Sequence, residues 1–491
     1  MIPDAGSLKS WNEELARIRQ QREKLESQIG ERITGSQAYR QFMNTNIEKL
    51  KEALPENAAL VDYYVYSREV FETKERTSSR VEPYLCAYVM RRDKPTMHID
   101  LGPMSLVESA IEGWRTTFGG AEKGQDSGQV LRKVVWQPLL AYLDGVKVVL
   151  ISPDEALGRL PFAALPGKKE GTYLIEEVST LVVPIPQMLP MLAERQASGI
   201  NGAHSLFVGP IDYNAGLEES PLDAHFLPLA GVADEMIAIR KQFTSTRGES
   251  DFLHLQGTSA TESAVARHAV GSSYLHFATH GYFAQSGWDS SVSHTSRSRG
   301  ATHLETRFAS GDSRSDQSDW FSGLHPGVMS GIALAGDNRL PSASLPGDNS
   351  PDDGVLTALE VAEFELGDTE LAVLSACETG LGKEVGGEGL LGLRRAFQVA
   401  GTRSVIASLW KVNDSATRHL MVRFYENLWG KGMSKLDAMQ EAQLWMLREG
   451  GKEQADGTRG VVDFDATQPP TVDGRLPPYY WAAFVLSGDW R

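Results

Sequence analysis

Two short apolar runs, each ending in a reactive side chain, constrain this chain more than anything else in it. Tyr274 to Phe283 reads YLHFATHGYF, and Leu371 to Gly382 reads LAVLSACETGLG. Both are rich in β-forming residues, too short for ordinary helices, and stop at a glycine or a polar loop. They predict buried strands with chemistry at their carboxyl ends. In an open parallel α/β sheet, ligands bind just beyond those ends, and side chains that end neighbouring strands share the crevice. On this reading His280 ends the first strand and Cys377 the second. A thiol is a strong nucleophile only as thiolate, and a nearby imidazole takes its proton and later returns it to a leaving group. The pairing therefore implies a Cys-His hydrolase.

The surrounding sequence supplies the rest of an α/β architecture. From Leu8 the positions Leu8, Trp11, Leu15, Ile18, Leu25 and Ile29 fall three and four apart, with Arg22 where another apolar residue would stand. Across a turn near Gly35 follow Tyr39, Met43, Ile47, Leu50 and Leu54, so residues 1–55 predict an antiparallel helical hairpin. This hairpin serves either as a packing arm or as a docking surface for a regulatory partner. Residues 56–200 predict a first α/β region, with strands in AALVDYYVYS, PYLCAYVMRR, TMHIDL and VKVVLIS and no evident nucleophile. Residues 201–491 predict a second, opening with SLFVGPID and alternating strand with helix, which implies parallel pairing. A helix opened by the capping pattern Ser259 to Glu262 precedes the His280 strand. Residues 284–322 are poor in aliphatics and crowded with Ser, Gly, Asp and Arg, and predict a flexible insertion.

Composition closes off other classes. A length of 491 residues, 41% of them hydrophobic, allows about three domains. No apolar run approaches the roughly 18 residues that span a bilayer, and the start MIPDAGSLKS lacks a signal peptide's basic and apolar regions, so a cytoplasmic location without membrane contact is expected. With a net charge of −16, a surface for duplex nucleic acid is not expected, because neutralising phosphates needs clustered Lys and Arg. Two cysteines, Cys86 and Cys377, form no disulfide framework, and no CxxC pair marks zinc. His276 and His280 have HxxxH spacing, but four residues of strand span roughly 13 Å, too far for one ion. No metal or cofactor is implied, and His276 reads as a structural strand residue.

Around the two reactive residues the details favour catalysis. Gly281 after His280 gives the backbone room to approach a substrate and to offer an N–H to a developing oxyanion. Cys377 precedes the glycine-rich ETGLGKEVGGEG, whereas Cys86 lies within a strand and reads as a small core residue. The glycine-rich segment matches neither GxGxxG nor GxxxxGK[ST], and Glu388 at the following helix start complements the helix dipole.

At these residues the chain resembles the CHAT-domain family of caspase-like cysteine proteases, relatives of separases and caspases. The resemblance is carried in order by PDEALGRLPFAALP, HFATHG, LSACETGLG, GEGLLGLRRAF, the strand RSVIASLW, FYENLW and the final PYYWAAFVLSGDW. It implies a caspase-like parallel-sheet α/β sandwich in which a pseudo-protease half, 56–200, packs on an active half, 201–491. It also implies a cysteine endopeptidase acting on a protein substrate as a regulated signalling or defence effector. His280 would be the general acid/base, Cys377 the nucleophile, and the amides of Gly281 and Cys377 the oxyanion hole. Ser375-Ala376-Cys377-Glu378-Thr379 stands in place of the caspase Q-A-C-x-G signature, so aspartate preference at P1 is not implied. In such folds the S1 pocket is built from strand ends flanking the catalytic pair, which here offer Asp212 and Asp414. Asp414 is the first choice, because WKVND resembles the separase segment whose aspartate receives a P1 arginine; Asp154, in the pseudo-protease half, is the third. Basic P1 residues follow from such a carboxylate. Asp414 also suits an ordinary helix cap before Ser415. The alternative function is a catalytically silent CHAT-like interaction module, which would have no chemical need for both His280 and Cys377.

Overall fold

The computed structural model describes residues 44–71, 79–118, 126–194, 204–217, 226–229, 231–283, 330–337, 353–375, 377–378, 388–410, 414–450 and 474–491. The seam from Leu8 to Ile29 and the 284–322 insertion lie outside these residues.

The strands of the first region are β1 (Ala58–Phe71), β2 (Ser79–Met90), β3 (Met97–Pro103), β4 (Val148–Ser152) and β5 (Ser179–Val182). There follow β6 (Ser205–Ile211), β7 (Phe252–Gly257), β8 (Tyr274–Phe277), β9 (His280–Phe283) and β10 (Ser330–Ala333). The last are β11 (Val355–Thr357), β12 (Leu371–Leu374), β13 (Cys377–Glu378), β14 (Ser404–Ser408) and β15 (Phe484–Gly488). The helices used below are α1 (Ile47–Ala53), α2 (Met104–Thr117), α3 (Val232–Arg247), α4 (Glu262–Ala269), α5 (Ala358–Ala362), α6 (Glu388–Val399), α7 (Asp414–Tyr425) and α8 (Lys435–Glu449). Helix α1 falls within the second expected helix of the hairpin.

Among the described residues an 11-stranded sheet runs in the order β3-β2-β1-β4-β5-β15-β14-β12-β8-β6-β7. The β1-β2-β3 meander is antiparallel. The strands from β1 through β4 and β5, and from β14 through β12, β8 and β6 to β7, are parallel. The chain's last strand joins these two sets: β15 pairs antiparallel with β14 and meets β5 in parallel at Ser487 and Val182.

The central strands β8, β12 and β14 are buried along their whole length and mostly apolar, because helices cover both faces. On one face Leu206, Val208, Leu275, Phe277, Ala372, Leu374 and Val405 pack with Val265 of α4, Val361 of α5 and Phe397 of α6. On the other, Phe207, Val373 and Ile406 pack with Ile239 of α3, Leu420 and Phe424 of α7 and Met439 of α8. This alternation is the period-two pattern of a strand.

Two local expectations change. Helix α4 is capped by Thr261, whose Oγ1 accepts the Ala264 N–H at 3.2 Å. Ser259 is instead used in the preceding turn, where its Oγ accepts the Gln256 N–H and donates to the Gln256 carbonyl. The second change concerns the reactive residues: neither ends a strand of the large sheet. β8 stops at Phe277 and β12 at Leu374; His280 and Cys377 open β9 and β13, which belong to a separate 4-stranded sheet ordered β11-β10-β9-β13. Both segments leave the large sheet at the same level, and there β9 pairs antiparallel with β10 and in parallel with β13.

Candidate active site

His280 and Cys377 are register partners on the parallel strands β9 and β13, and Gly281 is the partner of Glu378. Neighbouring strands lie about 4.8 Å apart, so the two backbones stand side by side at the carboxyl end of the large sheet. The sequence offset of 97 residues that pairs Leu371 with Tyr274 below the bend also pairs Cys377 with His280 above it.

The bend before His280 is held by a chain of hydrogen bonds. The fully buried Thr279 donates its hydroxyl to the Ala333 carbonyl at 2.5 Å, so Tyr213 must be the donor in its 2.9 Å bond to Thr279 Oγ1. The Tyr213 oxygen in turn takes a bond from the His280 backbone. Burial pushes the Tyr213 hydroxyl up to about 12, against the opposing hydrogen bonds, so it stays protonated and keeps donating at neutral pH.

The His280 ring lies 5.2 Å from the Tyr213 ring and 5.1 Å from the Phe226 ring, centroid to centroid, and the residue is buried. Its Nε2 is 2.8 Å from the Leu227 carbonyl oxygen. A carbonyl can only accept, so Nε2 carries the proton and, in the neutral ring, Nδ1 is the basic nitrogen. A backbone carbonyl thus orients the imidazole. Sequence reading missed Leu227, because a main-chain acceptor has no side-chain signature; Tyr213 had only the hint of following Asp212 at a strand end.

The three candidate pocket carboxylates are placed differently. Asp414 is half-buried and forms the first residue of α7. Its Cβ lies so close to Gly231 that a Cβ added there would stand 3.0 Å away, and Gly231 belongs to the segment that reaches back to Leu227. Asp212 precedes Tyr213; its Oδ1 accepts the Asn214 N–H at 3.1 Å, and its carbonyl accepts Gly336 N–H at 3.1 Å. Asp154 is not brought to the pair. It follows β4, four strands from β12 or roughly 19 Å, and its two oxygens accept the N–H groups of Val65 and Glu155.

The other expected structural residues fit that description. His276 is fully buried, with Nδ1 2.9 Å from the Tyr425 hydroxyl and Nε2 3.2 Å from Glu235 Oε1. Cys86 is buried in β2, and burial, with Asp100 and Asp62 nearby, pushes its thiol up, away from the thiolate a nucleophile needs. Among the described residues no group of His, Cys, Asp and Glu is arranged to hold a metal ion. No helix among them is long and apolar enough to cross a membrane.

A family model described as "CHAT domain" matches residues 125–489. Tetratricopeptide repeat protein 28 of Homo sapiens is 24% identical over 302 residues, which are 60% of this chain and 11% of that protein. This chain therefore spans about a tenth of its curated relative. Among solved structures it is similar to the Saccharomyces cerevisiae separase in its complex with securin, at 9% identity and a TM-score of 0.40, covering 90% of this chain and 31% of that one. It is also similar to the Arg-specific cysteine proteinase gingipain R, at 10% identity and a TM-score of 0.37, covering 79% of this chain and 74% of that one.

Proposed function

Because this chain belongs to the CHAT domain family, we propose that it is a cysteine endopeptidase that cuts a partner protein as a regulated effector. In this reading His280 Nδ1 takes the Cys377 thiol proton, and the thiolate attacks a peptide carbonyl. The amides of Gly281 and Cys377 hold the oxyanion, and the proton passes to the leaving amine as a thioester forms. Water then attacks the thioester with His280 as base, releasing the acid and restoring the thiol. The half at 56–200 acts as a non-catalytic support, and the segment 1–55 as the docking site of a regulatory partner.

The observation that supports the reading is the register pairing of His280 with Cys377, in a site where Leu227 leaves Nδ1 as the basic nitrogen. A silent interaction module has no use for an oriented imidazole beside a cysteine. For P1, Asp414 is the proposed carboxylate that pairs with Arg or Lys, since it packs on the segment that also supplies Leu227. The test is to map new N-termini in a proteome incubated with the full chain and with its Cys377→Ala variant. Cuts that appear after basic residues and vanish in the variant carry the proposal; cuts that persist in Cys377→Ala sink it.

A further inference from the structure

Arg394 lies in the middle of α6, and its guanidinium is buried to 1% exposure in the core of the second region. None of its three nitrogens has a hydrogen-bond partner among the described residues. Its neighbours along the helix show how unusual this is: Leu393 and Phe397 pack in the apolar core, and Arg395 is exposed, where a charge belongs. Buried polar groups in native proteins are almost always satisfied, and a buried charge without a counter-charge is among the most costly arrangements a fold can hold. Burial alone brings the guanidinium down to about 10, which still leaves it charged at neutral pH.

The position of the side chain locates the group. One turn further along the same helix face, Gln398 donates Nε2 to Ser487 Oγ on β15 at 2.9 Å. Ser487 pairs with Val405 near the start of β14. Helical side chains lean toward the helix N-terminus, and α6 begins at the end of the sheet where β13 carries Cys377. The guanidinium is therefore displaced from Gln398 toward the carboxyl ends of the strands, on the side of β14 and β15. A planar fork of donors in such surroundings is complementary to a carboxylate, which accepts two parallel N–H bonds and supplies a single neutralising charge. A phosphate brings close to two negative charges, more than one guanidinium balances.

We propose that Arg394 is an anion-reading residue that takes the side-chain carboxylate of an acidic peptide bound at the carboxyl end of the sheet. This goes beyond the peptidase reading and needs only binding, so it stands or falls without turnover. The test is the thermal midpoint of the full chain with the blocked pentapeptide Gly-Gly-Glu-Gly-Gly, with its Gln counterpart, and with inorganic phosphate, all at matched ionic strength. The expected result is a saturable rise of about 2 °C or more with the Glu peptide and none with the Gln peptide or phosphate. Arg394→Met, which keeps the volume and removes the unpaired charge, is expected to match or exceed the wild-type midpoint without ligand and to lose the response to the Glu peptide. Equal responses to the Glu and Gln peptides, a response to phosphate alone, or no response in the wild type would each overturn the proposal. A Glu-peptide response undiminished in Arg394→Met would remove Arg394 from it.

Discussion

Cys377 and His280 are paired in register across two parallel strands that have both left the large sheet, at the offset that pairs Leu374 with Phe277 just below. The alignment of the reactive residues is thus inherited from the β8–β12 pairing and carried through a bend. Whatever holds the bend also holds the site.

Thr279 is the residue that tests this. Thr279→Val keeps the shape but removes the hydroxyl between Tyr213 and the Ala333 carbonyl. Leaving two buried groups unsatisfied should cost about 1–3 kcal/mol in urea unfolding. If the bend positions His280, kcat/KM should fall while the variant remains folded. A folded variant with unchanged turnover would show that β9 alone sets the imidazole.

Asp414 has two readings, pocket carboxylate and helix-start residue, and Gly231 separates them. In Gly231→Ala the new methyl would stand 3.0 Å from Asp414 Cβ, which must shift by a few tenths of an ångström. On the pocket reading, both Asp414→Ala and Gly231→Ala lower cleavage after Arg and Lys in a peptide library, with little change in thermal midpoint. On the helix reading, Asp414→Ala instead loses about 1 kcal/mol of stability and leaves the cleavage preference alone.

His276 is expected to be structural and costly to remove. His276→Leu leaves Glu235, itself only 3% exposed, and the Tyr425 hydroxyl without their shared partner. Breaking one side of a buried polar pair typically costs about 3–5 kcal/mol. The double variant with Glu235→Leu should recover part of this loss, and a double-mutant cycle in urea measures the coupling. Additive losses would mean that Glu235 and His276 do not support each other.

Asp489, 1% exposed, should give the fold an acid-sensitive contribution. Burial acts to raise its pKa, but the hydrogen bond from Arg491, the Lys435 charge and the hydrogen bond from Arg403 together outweigh it and hold the carboxyl below its ordinary value. A carboxyl whose folded pKa lies below the unfolded value of about 3.9 contributes stability that is full above that value and is lost as pH falls through the folded one. The stability difference between wild type and Asp489→Ala should therefore be constant from pH 7 to about 5 and shrink below about 4. A difference that persists unchanged at pH 3 would assign the effect to packing.

The sequence by itself determined the α/β class, most strands of the large sheet and the choice of His280 and Cys377 as the candidate pair. Short runs such as LAVL and the largely apolar YLHF bury on both faces of the sheet, and a Cys and a His beside loops that follow such runs are readable without coordinates. The same holds for His276, whose place inside the YLHF run puts it in the core. What only the tertiary structure decided are relationships between distant segments. One is the departure of His280 and Cys377 from the large sheet into a second one, which depends on pairing with β10, some fifty residues further along the chain than His280. Another is the use of the Leu227 carbonyl to orient the imidazole, since main-chain groups are the same in every residue and acquire a role only through position. The last is Arg394, which sits in GLRRAF beside another arginine: helix geometry sends Arg395 to solvent and buries Arg394, and nothing in two adjacent identical letters distinguishes them before the helix is packed.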